Sequence, residues 1–325
     1  MRLKLVPETT NIDFFRFVPI TFGISAVAAV ASIVLFFLVG LNYGIDFRGG
    51  TVIMTETEEE VPIGEYRDIL GTLDLGDIAV TEISDPAAQL TGDEQFSALI
   101  RIEQQGDDPA SQNVVIVEVQ QTLSEAFPGI LFLSTESVGA KVSGELVQAG
   151  ILAVVLAIGA VLFYIWLRFE WQFSVGAVAA LIHDVILTIG VFALVGLEFN
   201  LAIVAAILTI VGYSLNDTVV VFDRVRENLR RYKTKPLKDV LNLSINETLS
   251  RTLMTSVTTL IALISLYVLG GEVIRGFTFA MIWGVIVGTY SSIFVASAVL
   301  LRLDVKRDWS KDDSKGGTQF ANIDA

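Results

Sequence analysis

The sequence predicts a polytopic α-helical membrane protein: six transmembrane helices, with an α+β, ferredoxin-like domain inserted between the first and the second. Three observations carry this. Of 325 residues, 53% are hydrophobic and only 18% charged, too apolar a balance for a soluble domain of this length. Six stretches, 18–40, 147–167, 174–195, 201–222, 252–270 and 277–301, are long enough to cross ~30 Å of hydrocarbon at ~20 residues each. The charge is also segregated, since residues 44–144 hold nineteen acidic side chains against Arg48, Arg67, Arg101 and Lys141.

The elements follow in order. Residues 1–17 are basic (Arg2, Lys4, Arg16) and lie inside. Span 18–40 is a retained anchor: it is longer than a signal-peptide core, and Gly40-Leu41-Asn42-Tyr43 offers no cleavage site. The acidic segment 41–146 lies outside, because the basic clusters at 2–16, 224–238 and 302–315 share the other side of an even number of spans. Within it, strands are expected at Thr51–Glu56, Asp77–Ile83, Phe96–Glu103 and Ile130–Val138, with helices at Ile63–Leu73 and Pro109–Phe127, the latter opened by Asp108-Pro109. The order β-α-β-β-α-β is the split ferredoxin-like arrangement, although the β-branched stretch Val114–Val119 is also compatible with a strand. Residues 147–301 hold spans two to six, with a basic loop at 223–247, and residues 302–325 form a tail on the inner side.

Several chemistries are excluded. The acidic balance opposes nucleic-acid binding, and no Cys and one His, His183, leave no disulfide, thiol nucleophile or multi-His metal site. No Ser or Thr has a base beside it in sequence, so hydrolase chemistry lacks support, and no cofactor is expected. What remains is intramembrane charge. Asp217 falls about five residues, or roughly 7–8 Å, from the inner end of its helix. A carboxylate there must be paired, hydrated or protonated, which makes an ion or proton site the leading reading. A buried helix–helix hydrogen bond through Asn216 and Asp217 is the alternative.

The natural partner is Arg251 at the entrance of the fifth span, flanking a hydroxyl stripe of Thr248, Thr252, Thr255 and Thr259. Those threonines either order water above the pair or serve close helix packing. Ser214 is a further polar residue beside Asp217. Near the middle of the third span, Asp184 is a proton candidate and His183 a hydrogen-bonded packing residue, since sequence neighbours point about 100° apart. Gly284, Gly288 and Ser292 recur every four residues, as close packing requires. Where span one leaves the membrane, Gly44-Ile45-Asp46-Phe47-Arg48-Gly49-Gly50 reads as a tight turn, lacking the flanking elements of a phosphate loop.

The same residues carry a resemblance. The Gly44–Gly50 motif, His183-Asp184, the run Gly212 to Asn228 (GYSLNDTVVVFDRVREN) and Glu247–Leu253 (ETLSRTL) resemble, in order and spacing, the SecD/SecF family of the bacterial Sec protein translocase. The resemblance implies one half of a resistance-nodulation-division (RND) type membrane protein in the bacterial inner membrane. It further implies work with SecD beside the SecYEG channel, with protons and a translocating preprotein as the other partners. By the same analogy Asp217 and Arg251 belong to a proton relay, which Asp184 joins from its own place in the third span; Gly44, Asp46, Phe47, Gly49 and Gly50, linking span one to the outside domain, are expected to form a periplasmic hinge. The alternatives are an RND-type exporter of small molecules or lipids, and a passive scaffold of the channel.

Overall fold

The computed structural model describes residues 10–73, 75–83, 96–105, 109–271 and 273–305. Residues 1–9, the Asp108 opening of the second domain helix and the tail beyond 305 lie outside the described residues.

Among the described residues, six helices are long and apolar enough to cross a membrane. They are α1 (Phe14–Leu38), α5 (Ala140–Arg168), α6 (Trp171–Val195), α7 (Leu201–Arg231), α8 (Leu237–Leu269) and α9 (Arg275–Ser291). The last continues through a π-turn, Ser292–Ala296, into α10 (Ser297–Arg302). Their ends obey local rules. Asp13 caps α1 by accepting from the Arg16 N–H at 3.2 Å, Asn200 caps α7 by accepting from the Ile203 N–H at 3.3 Å, and Gly196 ends α6 at φ +71°.

The expected basic loop at 223–247 is a correction. α7 runs on to Arg231 and α8 begins at Leu237, so only residues 232–236 connect them. Hydropathy ends a span where charge begins, but the helices continue because Val225, Asn228 and Leu229 on one face Val240, Leu241, Ser244 and Ile245 on the other, all buried. Arg251 therefore lies within α8, just before the apolar stretch 252–270.

Among the described residues of the inserted domain, two helices, α3 (Ile63–Leu70) and α4 (Pro109–Ala126), lie on a four-stranded sheet of β2 (Gly50–Thr57), β3 (Ile78–Ile83), β4 (Phe96–Ile102) and β5 (Leu131–Val138). The strand order is β3-β4-β2-β5, antiparallel throughout, with Ile53 opposite both Ile100 and Thr135. Residues 114–119 are helical: Val115, Val119 and Leu123 are buried at i, i+4 and i+8 against Ile53, Tyr66, Leu70 and Ile100, and this period outweighs β-branching. At the sheet edge, Ile130 and Phe132 pack on the domain core while Leu131 and Leu133 of β5 are exposed on the other face.

The helix bundle is apolar at both ends and polar between. One core, at the end where α1 begins, joins Phe14, Phe15, Phe169, Phe173, Phe222 and Leu249. The other, beneath the inserted domain, joins Leu41, Phe192, Phe199, Ile203 and Met281. The buried polar residues Asp184, Ser214, Asp217, Ser291 and Thr252 fall between them in sequence position along their helices.

Candidate functional site

The polar layer exists because two glycines let α9 approach α7. A Cβ on Gly284 would collide with the Ile210 side chain, and one on Gly288 would sit 3.0 Å from the Ser214 Cβ. That proximity, anticipated from the four-residue repeat, carries Ser291 to the centre. Asp184 on α6 is 1% exposed, and its Oδ2 accepts hydrogen bonds from the hydroxyls of Ser214 on α7 (2.7 Å) and Ser291 on α9 (2.8 Å). Its Oδ1 meets His183 Nδ1 at 3.0 Å. The divergence of sequence neighbours is thus overcome by side-chain rotation. One carboxylate knots three helices together, with its oxygens fully engaged. His183 also lies beside the Tyr290 ring, whose hydroxyl donates to the Thr21 carbonyl of α1 at 2.7 Å.

Asp217 has different surroundings. It is 3% exposed on α7, yet its Oδ2 has no hydrogen-bond partner among the described residues. Arg251 on α8 acts on it by charge, and the Thr255 hydroxyl approaches its carboxylate. Asn216 is exposed and Ser214 is taken by Asp184, so neither completes a helix–helix bond for Asp217. The threonine stripe divides. Thr248 donates to the Ser244 carbonyl and Thr255 to that of Thr252, while Thr259 accepts from Tyr213 Oη at 3.3 Å. Thr252, 1% exposed, leaves its hydroxyl without a partner among the described residues. Two buried polar groups, Asp217 Oδ2 on α7 and Thr252 Oγ1 on α8, are therefore unsatisfied on neighbouring helices. That is what a site for a proton or water demands.

At the other end of the molecule the glycine motif is more than a tight turn. Gly44 precedes a single helical turn, α2 (Ile45–Arg48), and Gly49 (φ +79°) and Gly50 (φ +123°) turn the chain into β2. Asp46 Oδ2 accepts from the Leu201 N–H at 2.8 Å, so the motif caps α7, the helix that bears Asp217. A two-stranded parallel ladder, β1 (Asn42–Tyr43) with β6 (Glu198–Phe199), lies beside it, and Phe47 packs on Phe199 at 5.9 Å. A Cβ on Gly44 would meet the Glu198 carboxylate, which would have to move aside. Glu198 in turn pairs with Arg101 of β4, tying the sheet to the bundle. Burial pushes the Glu198 carboxyl above its ordinary value, against the opposing pull of Arg101 and with help from Asp46 and Glu136.

Sequence reasoning missed two clamps on the extended α7–α8 hairpin. Glu247 accepts from Arg224 Nε at 2.7 Å and from Asn228 Nδ2 at 2.6 Å. Asn242 and Asn246 hold the start of the chain: their Oδ1 atoms accept from the Phe14 and Ile12 N–H groups at 2.9 and 2.8 Å, and both amides donate to the Ile12 carbonyl. The available signal was polar side chains at i, i+4 spacing (Asn242 and Asn246; Arg224 and Asn228), which marks a helix face rather than a loop. Among the described residues no three His, Asp or Glu gather as a metal site.

Six helices long and apolar enough to cross a membrane, an inserted α+β sheet domain and carboxylates buried between the helices are the architecture of a membrane transport subunit. Comparison with known proteins makes this specific. Residues 118–306 match the family described as protein export membrane protein SecD/SecF, C-terminal, and residues 34–61 match the SecD/SecF GG motif. The protein translocase subunit SecF of Cereibacter sphaeroides is 57% identical, over 100% of this chain and 99% of its own. The protein translocase subunit SecDF of Brucella abortus is 42% identical over 94% of this chain and 39% of its own. Among solved structures, the crystal structure of SecDF, a translocon-associated membrane protein from Thermus thermophilus, superposes with a TM-score of 0.80 at 33% identity. It covers 92% of this chain, which spans 39% of that one. The chain belongs to the SecD/SecF family, on its SecF side, and is a protein-translocation subunit.

Proposed function

We propose that this subunit uses the proton-motive force to drive preprotein translocation, with Asp217 as the titrating group and Arg251 as the charge that alternately holds and releases it. The observation that carries this is the buried, half-partnered carboxylate of Asp217 within the electrostatic reach of Arg251. Each protonation state of such a group favours a different local environment, so cycling between them shifts α8 against α7. One charge crossing the membrane potential is worth about 2.3 kcal/mol per 100 mV, enough to bias helix positions. Asp46 on the α7 N-terminus and Arg101 on Glu198 then pass that shift to the inserted domain.

A SecD portion completes the machine. Association with SecD is implied by relatives in which a SecDF chain contains the matching region, and the exposed apolar faces of α5 and α8 leave room for a second half. The SecYEG channel and the exported chain are the remaining partners, in the bacterial inner membrane, with residues 41–146 periplasmic and the basic helix ends cytoplasmic. Asp184, with its oxygens engaged by three donors, acts in this reading as a positioning residue rather than a carrier.

The test is export of a model preprotein into inverted inner-membrane vesicles with and without an imposed proton gradient. Asp217→Asn preserves size and hydrogen bonding, so it should leave assembly intact and abolish the gradient-dependent increment. An undiminished increment would make Asp217 a packing residue.

A further inference from the structure

At the end of the bundle where α5 finishes and α7 projects, an open groove of about 690 Å³ is lined by Arg168, Asp223, Arg226, Glu227, Arg230 and Arg231. Four guanidiniums and two carboxylates line it, a net positive charge; Asp223 lies 3.7 Å from Arg168, and Glu227 accepts from Arg224 at 2.6 Å. Two of the guanidiniums share one aromatic ring. The Cζ atoms of Arg168 and Arg226 stand 5.3 and 6.0 Å from the centroid of Phe169, which is itself buried in the apolar core. Arg226 also donates to the Arg168 carbonyl at 3.4 Å, fixing the pair across the two helices.

Like charges gathered on one ring repel each other, and an anion bound between them converts that repulsion into two charge-assisted contacts. The depth of the groove identifies the source of the anion. Trp166 and Trp171, before and after Phe169 in sequence, are 56% and 54% exposed, and Leu167, next to Trp166, is 67% exposed. Exposed tryptophans at a helix end mark the level of lipid headgroups, with acyl chains on one side and water on the other. Anything held by Arg168 and Arg226 therefore lies where phospholipid phosphates lie.

We propose that this groove binds the headgroup phosphodiester of an anionic phospholipid, with Arg168 and Arg226 as its principal ligands and Trp166 and Trp171 against the acyl chains. Arg230 and Arg231 supply further positive field from the helical extension of α7. The inference does not depend on proton coupling, since it concerns the opposite face of α7 from the one that meets α8.

The full chain, purified in neutral detergent, is titrated with phosphatidylglycerol, phosphatidylcholine or inorganic phosphate while the thermal unfolding midpoint is followed. Phosphatidylglycerol should raise the midpoint, and neither phosphatidylcholine nor phosphate should. Arg168→Gln/Arg226→Gln should lose the rise, whereas Lys233→Gln/Lys238→Gln, which removes charge from the same end of the bundle outside the groove, should keep it. If the double arginine variant is destabilised without lipid, Arg226→Gln alone is read instead and should show a reduced rise. An equal rise with phosphate would make the groove a site for soluble anions. Loss of the rise in the lysine variant would reduce the effect to the general charge of this face, and persistence of the full rise in both arginine variants would place the lipid elsewhere. Any of the three overturns the proposal.

Discussion

Asp184 separates a carrier of protons from a knot that positions helices, and two substitutions distinguish them. The carboxylate accepts from Ser214 at 2.7 Å, Ser291 at 2.8 Å and His183 at 3.0 Å. Asp184→Asn can keep this geometry. Its amide oxygen takes the two serine hydroxyls, and its N–H donates to His183 Nδ1 in the other tautomer. The cost should stay below about 1 kcal/mol. Asp184→Leu removes all three acceptor contacts, two of them between helices. Interhelical hydrogen bonds in membranes average about 0.6 and reach about 1.7 kcal/mol, so the loss should total roughly 1–3 kcal/mol. A shift of that size is resolved in detergent by the thermal midpoint of the purified chain. In vesicles, Asp184→Asn should retain most of the gradient-dependent export increment, and Asp184→Leu should lose it together with stability. The reasoning is refuted if Asp184→Asn keeps the wild-type midpoint yet loses the increment as completely as Asp217→Asn. Titration at Asp184 would then be essential, and the site would be a two-carboxylate relay.

Other outcomes follow from single contacts. Gly284→Val places methyl groups on the Ile210 side chain and should destabilise by about 1–3 kcal/mol, read as a lower unfolding midpoint; an unchanged midpoint would mean α7 and α9 are not in fixed contact. Glu198, raised by burial above its ordinary 4.5, binds its proton more tightly folded than unfolded. Its contribution to stability is full below that ordinary value and lost as pH rises through the raised one. Glu198→Gln should therefore flatten the midpoint-versus-pH curve in that window, while Arg101→Gln should displace the fall to higher pH; identical curves for all three proteins would contradict the assignment. Asn242→Ala/Asn246→Ala frees the Ile12 and Phe14 N–H groups, which donate to those side chains at 2.8 and 2.9 Å. Hydrogen exchange at these two amides should accelerate, with α6 and α7 unaffected; protected amides would mean that the clamp does not hold the chain start.

The sequence by itself determined the elements whose signal is local. Apolar length named six spans, and each domain element came within a few residues of its place, because period-2 and period-3.6 patterns are imposed by a sheet or a bundle that buries one face. Asp217 and Arg251 could be singled out because charge in hydrocarbon is costly wherever the neighbours lie. Tertiary structure decided which polar groups meet. Ser214 stands three residues before Asp217 and reads as its companion, yet it turns to Asp184 because Gly284 and Gly288 draw α9 and Ser291 onto that face of α7. Residues 223–247 look like a basic loop and fold as the ends of two helices, since what holds them is contact between faces rather than hydropathy along the chain. The glycine motif reads as a turn, and its tie to α7 depends on Asp46 reaching Leu201 across 155 residues. Hydrogen bonds between distant residues are selected by packing geometry, and a linear pattern does not encode their pairing.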